Sequence, residues 1–259
     1  MVMRSARTKA FKEFEYNFRN CQTLVDLIEG GGHLALDKLA KQANASTRKV
    51  AGFSLDKFFT LSPQQRVVAG SKANSKDVDE MKSILNKIDD SNTALNETLP
   101  NVLLSYLIEL FEVYIQEIAV LIGLANPNLL GLQPQSITEE LIREAVKKSL
   151  GGKLYNNLDS VLFKTNFNLS IDDAAKEASS TSKDLDRAKN IRNLYIHSRG
   201  MINSKFLKRY DDPNLTDKIG DKFPLTQDYV NTIAAKFFNT VTNLDEKASD
   251  KYPQILIII

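Results

Sequence analysis

VLLSYLIELFEVYIQEIAVLIGL, residues 102–124, is the one run of the chain long enough to be mistaken for a membrane span. A span of about 20 residues has to be nearly free of charge. This run carries Glu109, Glu112 and Glu117, and each carboxylate is expensive in hydrocarbon. It is therefore expected as a core helix of a globular protein, with the glutamates as a solvated stripe on an amphipathic helix. Outward from it, apolar residues recur at helical spacing almost throughout, and only the last few residues of the chain break that rhythm. The fold class expected is all-α.

On the N-terminal side, Phe11, Phe14, Phe18, Val25 and Ile28 share one face and predict a helix over residues 8–28 that stops at the triple glycine 30–32. Shorter helices are expected over 34–43, 47–59 and 77–88, separated by turn-forming stretches around Asn44, Ser62 and Pro63, and residues 70–75. The polar interval 89–93 precedes Pro100, a residue suited to a first helical turn, and marks a domain boundary. Residues 1–95 form an N-terminal helical region of unassigned role, and 96–259 a helical domain. Further helices are expected over 138–150, with Ser136 and Glu139 at capping-box spacing, and over 153–163, 171–178, 182–198 and 225–245.

Composition narrows the function classes. The chain has 259 residues, 42% of them hydrophobic, enough for a substantial core. Its 34 basic and 32 acidic side chains leave a net charge of +2, so attraction to a polyanion has to come from local clustering. With Cys21 the single cysteine and only His33 and His197 beside it, an internal disulfide and a Cys/His zinc cluster are excluded. The basic N-terminus lacks the apolar run of a secretory signal, and a cytoplasmic location is expected.

The clustering is found in residues 182–210, SKDLDRAKNIRNLYIHSRGMINSKFLKRY, with eight basic residues against two acidic. Inside it, Arg192, Asn193 and His197 lie on one helix expected to end at Gly200. At about 100° per residue, Asn193 and His197 share a face, while Arg192 is about 140° from His197. Arg192 reaches that face by curling round, by a distortion near the helix end, or from a second copy packed across a two-fold axis; the dimer is favoured. An imidazole exchanges protons near neutral pH, and a guanidinium grips phosphate with two parallel hydrogen bonds. An amide holds the imidazole or a phosphate oxygen. These are the groups needed to cleave RNA through its own 2′-hydroxyl, which DNA lacks. The chemistry calls for no metal and no cofactor. Lys189 and Arg199 are expected to contact phosphate.

The pattern RNLYIH, residues 192–197, followed by SRGMINSKF, resembles the signature of HEPN ribonucleases, in particular stand-alone HEPN proteins of prokaryotic conflict systems. An earlier helix of those proteins is similar to LSYLIELFEVYIQEI. The resemblance covers roughly residues 99–245. It implies an all-α, HEPN-like helical bundle with additional N-terminal helices, which dimerises so that two motifs form one cleft. It also implies metal-independent RNA cleavage in toxin–antitoxin or antiphage defence, with Arg192 and His197 catalytic and Asn193 supporting them. RNA, a second copy of the chain and an antitoxin or regulatory protein are the partners expected; a membrane is not.

Other readings stand beside this one. A HEPN scaffold that binds RNA or a partner without cutting uses the same residues. Residues 39–50, LAKQANASTRKV, loosely resemble a helix-turn-helix of a DNA-binding regulator. His197 read plainly is a helix C-terminal histidine near the last carbonyls, Arg192 a surface charge near Asp184 or Asp186, and Tyr195 a packing residue. The closing run of five aliphatic residues, 255–259, is too apolar for solvent.

Overall fold

The computed structural model describes residues 6–51, 75–133, 137–150, 162–210 and 218–257. Among these, eight α-helices and no strand are found: α1 Lys9–Ala51, α2 Ser75–Thr93, α3 Leu99–Ala125, α4 Glu139–Leu150, α5 Ile171–Glu177, α6 Ser182–Ser198, α7 Ser204–Tyr210 and α8 Gln227–Lys251. The protein is all-α, and no helix of the described residues is long and apolar enough to cross a membrane. The chain divides into two compact units, Met1–Cys21 with Pro100–Ile259, and Gln22–Leu99.

The first unit is built on α3. Leu104, Ile115, Ile118 and Ile122 are fully buried there, each side chain contributing about 1.5–3 kcal/mol by leaving water. Glu109 is exposed, and Glu117 is held by Arg143, whose two Nη atoms reach its carboxylate oxygens at 2.6 and 2.9 Å. The run 102–124 is thus a core helix with Glu109 exposed, Glu117 paired to Arg143 and Glu112 half-buried. Phe14 of α1 packs on Tyr114 with ring centroids 5.7 Å apart, Phe18 on Phe238 at 5.0 Å, and Phe111 stacks on Phe237 at 4.9 Å. This aromatic cluster draws the first 21 residues into the same unit as the C-terminal helices. Helix α4 buries Ile142, Val146 and Leu150 at four-residue spacing. Its first turn is capped by Thr138, whose hydroxyl accepts from the Leu141 N–H at 3.2 Å; Ser136 and most of 153–163 lie outside the described residues. Of the closing aliphatic run, Ile255 is fully buried while Ile257 is 76% exposed.

One polar cluster lies inside this unit. Asp245 and Thr8 are fully buried and Tyr114 nearly so. The Asp245 carboxylate accepts from the Thr8 hydroxyl, from the Thr8 N–H at 3.3 Å and from the Tyr114 hydroxyl at 3.5 Å, and Arg7 Nη1 stands 3.9 Å away. Thr8 also caps α1, its hydroxyl accepting from the Phe11 N–H. Burial pushes the Asp245 carboxyl above its usual range, opposed by the hydrogen bonds from Thr8 and the Arg7 charge.

In the second unit the expected stop at the triple glycine does not occur: α1 runs through it to Ala51. A glycine inside a helix costs only about 1 kcal/mol, and Gly32 has a packing role. A Cβ there would lie 2.7 Å from Leu95 Cδ2, so glycine permits a close approach. The helices expected over 34–43 and the start of 47–59 belong to this one helix, and 52–59 lie outside the described residues. Residues 39–50 contain no turn, which removes the helix-turn-helix reading. Helix α2 takes in the polar interval 89–93 and continues as a π turn, Ala94–Thr98, in which the Leu99 N–H bonds to Ala94 O. Pro100 explains the wider turn, because it has no N–H to donate and its ring crowds the carbonyl four residues back.

Candidate functional site

Helix α6 opens on a reciprocal cap. The Thr181 hydroxyl accepts from the Asp184 N–H at 3.1 Å, and the Asp184 carboxylate accepts from the Thr181 N–H at 3.0 Å. Leu185, Ala188, Ile191 and Leu194, three residues apart, are buried, which turns Asp186, Lys189, Asn193 and His197 to the outer side.

The helix ends with Arg199 and Gly200 in the left-handed region, φ 53° and 83°, and the Gly200 N–H bonding to Leu194 O at 2.9 Å. This is a Schellman-type closure. At Gly200 a Cβ would come within 3.1 Å of the Tyr195 ring and 3.2 Å of Lys222 Cγ. The end is clamped from outside: Tyr195 Oη donates to Phe223 O at 2.6 Å, Phe223 N–H to Gly200 O at 2.8 Å, and Ile202 N–H to Asp221 O at 2.8 Å. Tyr195 is therefore a packing residue. The stretch after α6 forms a helix that the periodicity did not bring out, α7. Asn203 caps it, accepting from the Phe206 N–H at 2.9 Å, and the signal for it in the sequence was that asparagine followed by Phe206 and Tyr210 at i, i+4.

Arg192 and Asn193 are brought together, both half-buried, with Arg192 Nη1 donating to Asn193 Oδ1 at 3.4 Å. Arg192 Nε is enclosed and finds no acceptor among the described residues. The two aspartates that offered Arg192 a plain surface role are engaged elsewhere. Asp184 pairs with Lys236 at 3.1 Å. Asp186 takes the Arg209 guanidinium at 2.9 and 2.6 Å and the Tyr210 hydroxyl at 2.6 Å. His197 stands apart. It is exposed on the last turn, and among the described residues no hydrogen bond joins it to Arg192 or Asn193.

Lys189 is half-buried beside Arg192. Burial is the chief cause that lowers its ammonium to about 8; Glu112 and Asp186 oppose the shift, and Arg192 and Arg209 add to it. Arg199 is exposed. Two roles at this helix were missed in the sequence. Asp186 is a hub between α6 and α7, and Lys222, bridged to Met201, lies over Gly200; only tertiary structure brings Lys222 there. Two clefts of the unit are lined by other residues: one of about 520 Å³ by Lys164, Ser170, Lys247 and Lys251 among others, the second of about 260 Å³ by Glu13, Glu117, Glu139 and Arg143 among others.

Comparison with known proteins returned no matching family model, no matching curated protein and no matching solved structure.

Proposed function

We propose that this chain is a metal-independent endoribonuclease with a HEPN-like bundle, the effector of a defence or toxin–antitoxin system, acting as a cytoplasmic homodimer. The observation that carries the reading is Arg192: a guanidinium half out of water, steadied by Asn193, with an enclosed Nε that has no acceptor among the described residues. A buried donor left unpaired costs about 1–3 kcal/mol, and a phosphate oxygen satisfies it with a charge-assisted bond once the half-buried side chain turns to present Nε.

Two copies of α6 packed about a two-fold axis bring the second His197 and the second Arg192 to one cleft. Ile196, 50% exposed between them in sequence, is apolar surface for that contact. In the composite site one imidazole takes the proton of the 2′-hydroxyl as its oxygen attacks phosphorus. The P–O5′ bond breaks, and the other imidazole protonates the leaving O5′, giving a 2′,3′-cyclic phosphate and a 5′-hydroxyl. Arg192 offsets the charge that develops on the non-bridging oxygens. Lys189 and Arg199 hold flanking phosphates.

The test is incubation of the protein with total RNA in EDTA, comparing wild type with Arg192→Ala and His197→Ala. Cleavage in chelator with cyclic phosphate ends, lost in both variants, is the expected result. No cleavage by the wild-type protein, together with RNA binding that survives His197→Ala, would sink the enzyme. The scaffold reading would then replace it, and one feature favours that reading already: no described residue orients the His197 ring.

A further inference from the structure

We propose that α7 and the segment clamped at Met201 and Lys222 form a cationic ledge that carries the backbone of a single-stranded RNA away from the Arg192–His197 helix, with Lys205, Lys208 and Lys222 joining Arg199 as phosphate contacts. The inference rests on the RNA reading above and names a surface that the motif does not.

Charge is the first ground. Residues 182–210 hold eight basic and two acidic side chains, while the stretch from 211 to Lys222 adds four aspartates, Asp211, Asp212, Asp217 and Asp221, against Lys218 and Lys222, so the ledge is cationic on α7 and at Arg199 rather than along its whole length. Both acids of 182–210 are consumed, Asp184 by Lys236 and Asp186 by Arg209. Arg209 is thereby neutralised, whereas Lys205 and Lys208 are exposed and make no ion pair among the described residues. Two cations next to each other on a seven-residue helix repel, so the arrangement costs free energy until an anion arrives.

Placement is the second ground. Phe206 packs on Phe223 with ring centroids 5.8 Å apart, edge to face, at the clamp. At the other end of α7, Arg209 and Tyr210 reach Asp186, eleven residues before His197 and so about 16 Å back along α6. Helix α7 therefore folds back beside α6 and is fixed at both ends. At about 100° per residue, Lys205 and Lys208 turn away from the buried Phe206. At the clamp, Lys222 lies over Gly200, just past the turn that carries His197, next to Arg199. Asp221 is its acidic neighbour in sequence.

An unpaired strand fits this ledge better than a duplex. Met201, 41% exposed and bridged to Lys222, two residues past Arg199, is apolar surface on which a splayed base can lie. Attack by a 2′-hydroxyl likewise needs a strand free to bring that oxygen into line with the leaving group. Lysine ammoniums read charge, not sequence, so the ledge confers grip and direction with little base preference.

The experiment uses the full chain with Lys205→Ala/Lys208→Ala, Lys222→Ala and the triple variant, checked for wild-type melting, with the Lys→Gln triple as a second version. Binding of a labelled oligouridylate is followed by anisotropy over a salt series. The slope of log Kd against log salt is expected to fall by about 0.7 per lysine removed, so by about 2 in the triple variant. Cleavage of long RNA should drop while that of a dinucleotide, too short to reach the ledge, is unchanged. A slope equal to wild type overturns the ledge, as does an equal loss for duplex RNA or for polyglutamate. If no version cleaves RNA yet the slope falls, the ledge stands and the nuclease reading fails; cleavage with an unchanged slope means the reverse.

Discussion

Asp245 and Arg192 are both charged side chains drawn out of water, and the chain surrounds them in opposite ways. Around Asp245 stand a threonine hydroxyl and N–H, a tyrosine hydroxyl and an arginine, in a pocket closed to solvent. Around Arg192, among the described residues, there is one long hydrogen bond to Asn193 and an enclosed nitrogen without an acceptor, while the nearby aspartates serve other partners. A buried charge with its own protein partners ties elements together, here the start of α1 to α3 and α8. A half-buried charge left short of acceptors is suited to a ligand that supplies them. The contrast separates a structural cluster from a candidate site without appeal to motif.

The largest effects should split along that line. His197→Ala is expected to lower RNA cleavage by at least about 100-fold with the melting temperature unchanged, since the ring is exposed. Asp245→Ala should do the reverse, costing about 3 kcal/mol by stranding buried partners. That is about 6–12 °C in melting temperature by calorimetry, with the activity of folded protein retained. Asp245→Asn sharpens the test. The wild-type carboxyl is raised by burial, so its folded value lies above its unfolded one, and the stability it contributes is lost as pH rises through the folded value. Wild type should therefore gain on Asp245→Asn as the pH is lowered from neutral.

Smaller effects probe the clamp that holds the end of α6. Gly200→Ala combines φ 83° with a Cβ 3.1 Å from the Tyr195 ring and should cost about 1–2 kcal/mol in urea unfolding. Tyr195→Phe removes the bond to Phe223 O for about 1 kcal/mol. If Tyr195 packs, RNA affinity measured on the folded variant should not move; a loss of affinity would restore it as a base-stacking residue.

The smallest effect is a pH dependence. With its ammonium lowered to about 8 by burial, Lys189 sheds its proton on the folded protein between pH 7 and 9. RNA affinity at fixed salt should weaken a few-fold over that range, and Lys189→Arg, which keeps its charge, should flatten the dependence. The sign for folding is opposite. From about pH 8 up to the normal lysine value the unfolded chain binds the extra proton, so this group makes stability rise with pH there.

Much of the fold was legible as pattern. The core role of residues 102–124 follows from three glutamates that hydrocarbon does not tolerate, and the end of α6 from a closing glycine. The glycines at 30–32 misled, because a stop signal is only a preference of about 1 kcal/mol per residue, and Leu95 pressing on Gly32 is a contact between residues far apart in sequence. For the same reason α7 escaped notice: its stability comes from Asp186 and Phe223, which no local window contains.

By itself, the sequence determined the helical class, the outward face of 102–124 and the grouping of Arg192, Asn193 and His197 on one helix, since each depends on spacings of a few residues and on elementary helical geometry. Which charges remain available to a ligand was decided only in three dimensions. Lys236 takes Asp184, Arg209 takes Asp186, and burial, helped by Arg192 and Arg209, lowers Lys189. Those outcomes depend on solvent exclusion and on pairings between elements, and both arise only when the helices pack.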